Sequence, residues 1–286
     1  EFLPMVHLRY RAADWADVRL AFTRTLSRPN YLDLAPWERE TSDGLERGAP
    51  YLNNTRVRNY DLIVSMYSDY GLFTLAGFYK SLDGITYMRK SRATSILGAG
   101  QVDYYHPENS PYETNVYGME VEVQSNLSML PEPFDGLLVN FNYSLMRSKT
   151  YFPYQIIRTF KRPPNPQTFI QYVDSTRESR MPGQADQLVN ATLGYEKKGL
   201  SVRVSMTYQG DALQFVGATP QQDGYSKSFL RWDVSMQYKF MPGLALLANI
   251  NNISSLPEGS YLGTIGSPIR EEYFGWTMDL GIRIDL

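Results

Sequence analysis

The sequence predicts an all-β protein, an antiparallel transmembrane β-barrel, from three observations: long runs of alternating apolar and polar residues, connections that alternate between short and long, and an excess of tyrosine. The clearest run is 200–208, in which Leu, Val, Val, Met and Tyr alternate with Ser, Arg, Ser and Thr. Residues 230–240 and 273–286 repeat the pattern. A strand that crosses a bilayer at a tilt needs about 9–11 residues, whereas strands in general average about five or six. The length of these runs therefore favours a membrane barrel over a soluble sandwich.

The same alternation, less regular in places, predicts about eleven strands. The predicted strands span residues 5–12, 17–26, 57–68, 71–89, 114–128, 136–148, 187–198, 200–209, 229–240, 243–253 and 273–286. Successive side chains of a strand point to opposite faces of a sheet. Each strand is therefore predicted to turn one apolar face to lipid and one polar face to an enclosed interior.

The connections between these strands are alternately short and long. The short ones are 13–16, 69–70, 129–135, position 199 and 241–242, and the long ones are 27–56, 90–113, 149–186, 210–228 and 254–272. Barrels of bacterial outer membranes have short periplasmic turns and long extracellular loops. The pattern therefore predicts that the long connections are extracellular and that the last strand ends on the periplasmic side.

Composition limits the classes of protein that fit. Tyr contributes 22 of the 286 residues, and its apolar ring and polar hydroxyl suit the boundary between lipid and water. The net charge of −2 gives no reason to expect nucleic acid as a partner. Cysteine is absent, which excludes disulfides and cysteine-built metal sites. Composition alone fits a tyrosine-rich soluble β-protein equally well.

The sequence contains no set of residues that predicts catalysis. Its two histidines, His7 and His106, lack neighbouring cysteines or paired carboxylates, so no metal site is expected. There is no Gly-x-Ser-x-Gly motif and no phosphate-binding glycine loop. We therefore expect neither an enzyme nor a bound cofactor.

Charged residues in the predicted strands fall on the polar face. An Arg or Lys turned to the middle of a bilayer costs about 2–4 kcal/mol, so this restriction predicts a water-filled or protein-filled lumen. Such charges can pair with each other across strands or with a plug that fills the lumen, or they can take part in substrate passage, and the sequence leaves these interpretations open. The candidate lumen-facing charges are Glu120, Glu122, Arg203, Arg231 and Asp233, with Arg9, Arg11, Arg19, Glu196, Lys239, Asp279, Arg283 and Asp285 in equivalent positions.

The long connections are rich in aromatic residues set among polar ones. Aromatic rings can stack on sugars, catechols or porphyrin-like rings, and loops on a rigid scaffold commonly bind ligands. The candidate substrate-binding residues are Trp37, Tyr104, Tyr105, Tyr154, Tyr172, Phe215 and Tyr225. Tyr112, Tyr151 and Phe152 are further candidates, but they can equally form an outer aromatic girdle.

Several stretches resemble, in the same order, the C-terminal region of the TonB-dependent receptors. The resemblance rests on Phe-Thr-Arg-Thr-Leu-Ser-Arg-Pro at 22–29, Asn-Tyr-Asp-Leu at 59–62 followed by Leu-Ala-Gly-Phe-Tyr-Lys at 75–80, Val-Tyr-Gly-Met-Glu at 116–120, and Asn-Ile-Asn-Asn-Ile at 249–253. The last strand also resembles the signal read by the barrel-assembly machinery, through Asp279, Gly281, Ile284 and Leu286. The family usually ends in Phe or Trp, so Leu286 departs from its pattern.

The resemblance implies that residues 1–286 form the C-terminal half of a barrel of about 22 strands, filled by an N-terminal plug. The plug and the first half of the barrel are absent from this chain, and we expect them on a separate chain, on a cleaved segment or on a lost one. An open sheet cannot lie in lipid with two unpaired edges, so such a complement is needed.

The implied function is import of a bulky, scarce nutrient across the outer membrane of a Gram-negative bacterium: a ferric siderophore, haem, cobalamin or an oligosaccharide. The implied partners are outer-membrane lipid, the plug, the first half of the barrel, the TonB energy-transduction complex and, for a glycan importer, a surface lipoprotein. One alternative is a passive porin or scaffold barrel. Another is a soluble carbohydrate-binding β-sandwich, which would bury Trp232, Met236, Trp276 and Ile282 between two stacked sheets.

Overall fold

The computed structural model describes residues 2–42, 44–98, 100–161, 168–217, 219–263 and 267–285, with only the backbone at 154–157, 170, 172 and 174. These residues form antiparallel β-structure almost throughout. A single turn of α-helix, α1 (Tyr31–Leu34), and two 3-10 turns (Phe134–Gly136 and Pro220–Gln222) interrupt it. Within the described ranges, no helix has both the length and the apolar character needed to cross a membrane.

The described residues form twenty strands. In chain order they are β1 (Met5–Ala13), β2 (Ala16–Ser27), β3 (Glu38–Thr41), β4 (Gly44–Arg47), β5 (Thr55–Ser68), β6 (Gly71–Asp83), β7 (Thr86–Thr94), β8 (Gln101–Asn109), β9 (Thr114–Asn126), β10 (Leu137–Lys161), β11 (Thr168–Ser179), β12 (Gln187–Lys197), β13 (Leu200–Gln209), β14 (Ala212–Phe215), β15 (Gly224–Ser226), β16 (Phe229–Met241), β17 (Leu244–Asn251), β18 (Glu258–Leu262), β19 (Pro268–Glu272) and β20 (Thr277–Ile284).

Eleven of these strands form one open antiparallel sheet, which we call the main sheet. Its order is β1-β2-β5-β6-β9-β10-β12-β13-β16-β17-β20, with β1 and β20 at the edges. Each strand therefore pairs with the main-sheet strands that come before and after it in the chain. The eleven predicted strands correspond one by one to these eleven, and the antiparallel barrel-type fold is confirmed, as a partial barrel.

Three predicted boundaries differ from the structure. The strand predicted at 71–89 is wrong beyond Asp83, because Gly84 takes a φ of 70° and the chain continues as β7 in a different sheet. The strand predicted at 136–148 continues to Lys161, where β10 leaves the main sheet and pairs with β11. The last strand begins at Thr277 rather than at 273.

The register of the main sheet separates its two faces, because side chains of paired residues lie on the same face. One row of cross-strand neighbours, the apolar row, runs Tyr10–Val18–Val64–Leu75–Val121–Tyr143–Val189–Tyr208–Leu230. The adjacent row, one residue further along each strand, is the polar row Arg11–Asp17–Ser65–Thr74–Glu122–Asn142–Asn190–Thr207–Arg231. The main sheet therefore has an apolar face and a polar face across nine strands.

In the part of the chain that the structure describes, no second sheet covers the apolar face. Trp232 and Met236 are each 38% exposed, and Trp276 and Ile282 are 57% and 66% exposed. A β-sandwich would bury these four side chains between its layers. The sandwich alternative is therefore wrong.

The long connections are not irregular loops but contain two further sheets. The first loop sheet has the order β3-β4-β8-β7, and the second has the order β14-β15-β18-β19. They meet where Lys90 N donates to Val216 O (3.3 Å) and Val216 N donates to Met88 O (3.4 Å). Between them lies a cluster of buried apolar side chains, the loop core, formed by Ile85, Tyr87, Phe152, Leu213 and Val216.

Candidate functional site

The charged residues predicted to face a lumen lie on the polar face of the main sheet. They are Glu120 and Glu122 on β9, Arg203 on β13, and Arg231 and Asp233 on β16. The Ser144 hydroxyl donates to Glu120 (3.3 Å), and the Gln124 amide donates to Glu122 (2.5 Å). Both glutamates therefore accept hydrogen bonds from neighbours on the same face.

The basic residues of this group are paired with nearby carboxylates. Arg203 forms an ion pair with Glu196 on β12, and Arg231 Nε lies 3.4 Å from Asp233 Oδ2. Asp233 also accepts a hydrogen bond from the backbone N–H of Asn252 (2.8 Å). Both arginines remain about half exposed. Exposed ion pairs of this kind add less than about 1 kcal/mol each to the free energy of unfolding. The positive charges of both arginines therefore remain exposed on the polar face.

Sequence reasoning missed the most buried charge of the main sheet. Asp17 is 1% exposed, and Arg9 donates to it through Nη2 (2.5 Å). The Tyr67 hydroxyl donates to the same oxygen, Oδ2, at 3.1 Å, and Arg19 Nε lies 3.1 Å from the other oxygen, Oδ1. Asp17 follows the first short turn directly, and the sequence pattern marked its basic neighbours without indicating which group would bind them. The cluster links β1, β2 and β5 at the short-turn end.

The predicted loop aromatics lie in separate contacts rather than in one open site. Tyr104 stacks on His106 with a ring-centroid distance of 4.5 Å, and Tyr105 meets Phe215 edge-on at 6.0 Å. Trp37 Nε1 donates to a backbone carbonyl near α1, at 2.7 Å. The side chains of Tyr154 and Tyr172 lie outside the described residues.

Phe152 is neither a girdle residue nor a ligand contact. Its side chain is 0% exposed and packs on Tyr87 with a ring-centroid distance of 4.5 Å. Tyr112 and Tyr151 contact each other edge-on at 6.2 Å. The interpretation of Phe152 as a surface aromatic is wrong because the loop core, assembled from distant segments, encloses it.

Tyr225 belongs to a charged cavity that the sequence did not indicate. Its ring stacks on Tyr261 at 5.3 Å, and the Arg180 guanidinium lies 5.0 Å from its centroid. Arg180 donates to Asp211 (2.6 Å), and the Tyr261 hydroxyl donates to the same carboxylate (3.0 Å). A cavity of about 540 Å³ opens between these groups and the Arg177–Asp223 ion pair.

The electrostatics of this cavity follow from its hydrogen bonds. Burial raises the pKa of Asp211, but the hydrogen bonds from Arg180 and Tyr261 outweigh burial and lower it. Burial and the hydrogen bond to Asp211 raise the pKa of Tyr261 to about 12. The cavity therefore presents a stacked pair of neutral tyrosines beside a fixed ion pair. No sequence signal could have grouped residues that lie 30 to 50 positions apart.

A second charged cluster sits at the edge of the loop core. Glu108 accepts hydrogen bonds from the Tyr87 hydroxyl and from Arg89 Nη1 (3.2 Å), and His106 Nε2 lies 3.4 Å away. Burial raises the pKa of Glu108, but the hydrogen bonds from His106 and Tyr87 and the charge of Arg89 outweigh it and lower the pKa to about 2. Within the described ranges, no group of three His, Asp or Glu side chains is placed to hold a metal ion.

Three of the four residues of the predicted assembly signal lie on the edge strand β20. Asp279 pairs with Asn249, and Gly281 pairs with Leu247. Ile284, the third member, ends the strand, and Leu286 lies outside the described residues. Because β20 has one unpaired edge, its backbone is open to a further strand.

Comparisons with known proteins agree with this architecture. Residues 1–253 match the family model described as TonB dependent receptor-like, beta-barrel. A search of curated proteins found no match. A mutant of the ferric enterobactin receptor PfeA from Pseudomonas aeruginosa is similar in structure, with a TM-score of 0.61 and 16% identity, over 99% of this chain and 40% of that one.

Two other solved structures are similar to the same degree. The siderophore receptor PirA from Acinetobacter baumannii gives a TM-score of 0.60 and 14% identity, over 99% of this chain and 40% of that one. P. aeruginosa FpvA bound to a heterologous pyoverdine gives 0.59 and 16%, over 100% of this chain and 33% of that one. This chain thus spans at most 40% of the length of these receptors, and the likeness concerns the fold. The family model, which covers most of the sequence, places the chain in the TonB-dependent receptor-like β-barrel family.

Proposed function

We propose that this chain forms part of the wall, and five of the extracellular loops, of a TonB-dependent transporter in the outer membrane of a Gram-negative bacterium. The observation that carries the proposal is the pair of continuous rows, apolar on one face and polar on the other, across nine strands of the main sheet. The apolar face would contact lipid and the polar face would line the lumen, which avoids the cost of charges in hydrocarbon.

The transported substrate is proposed to be a ferric siderophore, with haem, cobalamin and oligosaccharides as alternatives. PfeA is named as a ferric enterobactin receptor and PirA as a siderophore receptor, and both share this fold. The cavity that contains Tyr225 and Tyr261 adds stacked aromatic rings at the loop end. Rings of this kind suit flat aromatic groups on a ligand.

The proposed transporter also involves partners of residues 1–286. The open edges of β1 and β20 would pair with further strands of the same barrel, which we place in a first half of the domain. A plug would fill the lumen against the polar face, and the TonB complex would act on that plug. A surface lipoprotein would be added only for a glycan substrate.

The test is uptake by cells that express the full-length protein from the native gene. We expect radiolabelled iron, supplied as a ferric siderophore, to enter these cells only when TonB is present. Uptake in a matched strain without TonB measures passive entry. Equal uptake in both strains would contradict energy coupling and favour a passive porin.

A second measurement checks the membrane assignment separately. We expect the full-length protein to fractionate with outer membranes and to require detergent for extraction. Recovery as a soluble protein from periplasm or culture medium would contradict the proposal regardless of the substrate supplied.

A further inference from the structure

One pair of neighbouring strands in the main sheet carries no charge on its polar face. β10 and β12 pair directly over residues 137–145 and 187–195. We call the polar face of this segment the neutral lane. Its four rows lie two residues apart along the strands, so it is about 20 Å long. Its side chains are Leu138, Asn140, Asn142 and Ser144 on β10, and Leu188, Asn190, Thr192 and Gly194 on β12.

Every other pair of neighbouring strands in the main sheet has at least one charge on this face, among the residues that the structure describes. β17 has none of its own, but both of its neighbours do. The neutral lane is therefore the one uncharged stretch that is two strands wide. The charges elsewhere are Arg9 and Arg11 on β1, Asp17 and Arg19 on β2, Asp61 on β5, Lys80 on β6, Glu120 and Glu122 on β9, Arg203 on β13, Arg231, Asp233 and Lys239 on β16, and Asp279 and Arg283 on β20.

The centre of the neutral lane presents amide and hydroxyl groups. The side-chain amides of Asn140, Asn142 and Asn190 have no hydrogen-bond partner within the described ranges. The Thr192 hydroxyl shares a hydrogen bond with Ser205 on β13 (3.0 Å). Amides and hydroxyls both donate and accept hydrogen bonds. The neutral lane therefore offers uncharged, exchangeable hydrogen bonds to whatever lies against it.

The loop end of the neutral lane leads to the cavity that contains Tyr225 and Tyr261. Asp186 lines that cavity and directly precedes Gln187, the first residue of β12. The Asp186 carbonyl also accepts a hydrogen bond from the backbone N–H of Met146 on β10 (2.9 Å). Both strands of the neutral lane therefore reach the wall of this cavity.

A plug in the lumen would be held least firmly against the neutral lane. Hydrogen bonds in which one partner is ionised are roughly twice as strong as neutral ones. Glu120 and Glu122 offer such bonds on one side of the neutral lane, and Arg231 and Asp233 offer them on the other. The neutral lane itself offers only uncharged bonds, so a plug segment that lies on β10 and β12 separates from the wall at a lower cost in free energy.

We propose that the substrate crosses the lumen along β10 and β12, through a passage that opens between the neutral lane and the plug. The cavity at the loop end admits the ligand, and the asparagines of the neutral lane then exchange hydrogen bonds with its polar surface. Short uncharged side chains hold no ionic group tightly, so the ligand is not trapped on the way. The proposal rests on the proposed function, because it requires a plug and import from the loop end.

β5 and β6 form a second candidate route, which fits less well. Ser65 and Thr74 are neighbours in the polar row, and Ile63 and Ala76 are neighbours in the next row. Ser65 is only 3% exposed, and the side chains of Ile63 and Ala76 form no hydrogen bonds. These strands also lie between the charges of β2 and those of β9, which would hold a plug on both sides. Thr74 is therefore a suitable control position on the same row.

The first test is the labelling of single cysteines in cells that express the full-length protein. Residues 1–286 contain no cysteine, so Asn142→Cys places a single thiol in the neutral lane, and Thr74→Cys places one in the same row on β6. The probe is the membrane-impermeant cation methanethiosulfonate ethyltrimethylammonium. During uptake of a ferric siderophore we expect Asn142→Cys to react about tenfold faster than Thr74→Cys, because a thiol reacts only while the passage exposes it.

The comparison of the two thiols decides the route. The full-length protein without an introduced cysteine corrects for any thiol outside residues 1–286. Equal rates for Asn142→Cys and Thr74→Cys during uptake would overturn the neutral lane as the passage, and so would a faster reaction of Thr74→Cys.

The second test narrows the passage. Asn190→Arg adds a long charged side chain to the neutral lane and should lower uptake about tenfold, because it can bind the plug by charge-assisted hydrogen bonds. Binding of the ferric siderophore to the cell surface should stay unchanged, which also shows that the variant has folded. Thr74→Arg adds the same side chain beside Glu122 and should preserve both uptake and binding. An equal loss of uptake in the two variants would contradict the proposed route.

The outcomes separate the route from the transport proposal. TonB-dependent uptake by wild type, with equal labelling of the two thiols, would overturn the neutral lane alone. Faster labelling of Asn142→Cys in a protein whose uptake does not need TonB would support the route and contradict energy coupling.

Discussion

The main sheet and the two loop sheets are built from the same kind of hydrogen bonding, yet they bury their apolar side chains in different places. The apolar face of the main sheet stays open to its surroundings, and residues on it such as Leu193 remain 53% exposed. The loop sheets enclose Phe152 and Leu213 completely. The loop region is therefore stabilised like a soluble domain, by its own core. The apolar face of the main sheet has no such core against it among the described residues.

The difference predicts that substitutions act locally. A cavity in the loop core should loosen the loop sheets and leave the main sheet intact. A charge on the apolar face should do the reverse. The predictions that follow test this division, beginning with the largest expected effect.

The largest effect is expected from Phe152→Ala. Removal of a fully buried phenylalanine typically costs about 3–5 kcal/mol, through lost burial and the cavity left behind. We expect hydrogen exchange of the amides in β7 and β14 to accelerate, while exchange in β12 stays unchanged. Phe160→Ala, on the same strand but 47% exposed, is the matched control and should change little. Equal acceleration in β12 would mean that the two regions unfold together.

The next effect is expected from Leu193→Arg, in the middle of β12 on the apolar face. An arginine facing the middle of the bilayer costs about 2–4 kcal/mol. The free energy of unfolding from lipid vesicles should fall by that amount, as followed by denaturant titration. Asn190→Arg, on the polar row of the same strand, should cost much less. A similar loss for both variants would show that lipid does not contact the apolar face.

A smaller, pH-dependent effect is expected at Glu108. Its folded pKa of about 2 lies below the ordinary value of 4.5, so the ionised group stabilises the loop region above pH 4.5. That contribution should be lost as the pH falls from 4.5 towards 2. Amide exchange in β7 and β8 should report the loss. Glu108→Gln should show a flatter pH dependence over the same interval, and an unchanged profile would contradict the assigned cause.

The smallest effect is expected from Arg203→Gln on the polar face. Its exposed ion pair with Glu196 contributes less than about 1 kcal/mol, so unfolding of the barrel should hardly change. Glu196→Gln should give a similarly small change, and the double variant should equal either single one. A loss above about 2 kcal/mol would mean that the polar face is a buried interface rather than a wet one.

The sequence allowed the main sheet to be predicted because its signal is local. Alternation in 200–208 is sufficient to place Val204 on one face and Ser205 on the other, and the structure pairs them with Val234 and Asp233. The strand order could be predicted equally well, because each strand of the main sheet pairs with the main-sheet strands that come before and after it in the chain. The same alternation was sufficient to predict that the candidate lumen charges lie on the polar face.

The loop region could not be predicted because its contacts join distant parts of the chain. Tyr105 meets Phe215, and Leu45 on β4 lies beside Tyr104 on β8 in parallel. Six of the eight strands in the loop sheets have only three to five residues, which gives too few alternating positions for recognition. The break at Gly84 was missed for a related reason, since Ile85 and Tyr87 continue the apolar spacing of β6 while belonging to another core.

The bridge from Met88 and Lys90 to Val216 has a mechanical consequence. The two connections that it ties together leave the main sheet on opposite sides of β10 and β12. Neither connection can move away from the other unless these two hydrogen bonds break. A force applied to one connection would therefore displace both together.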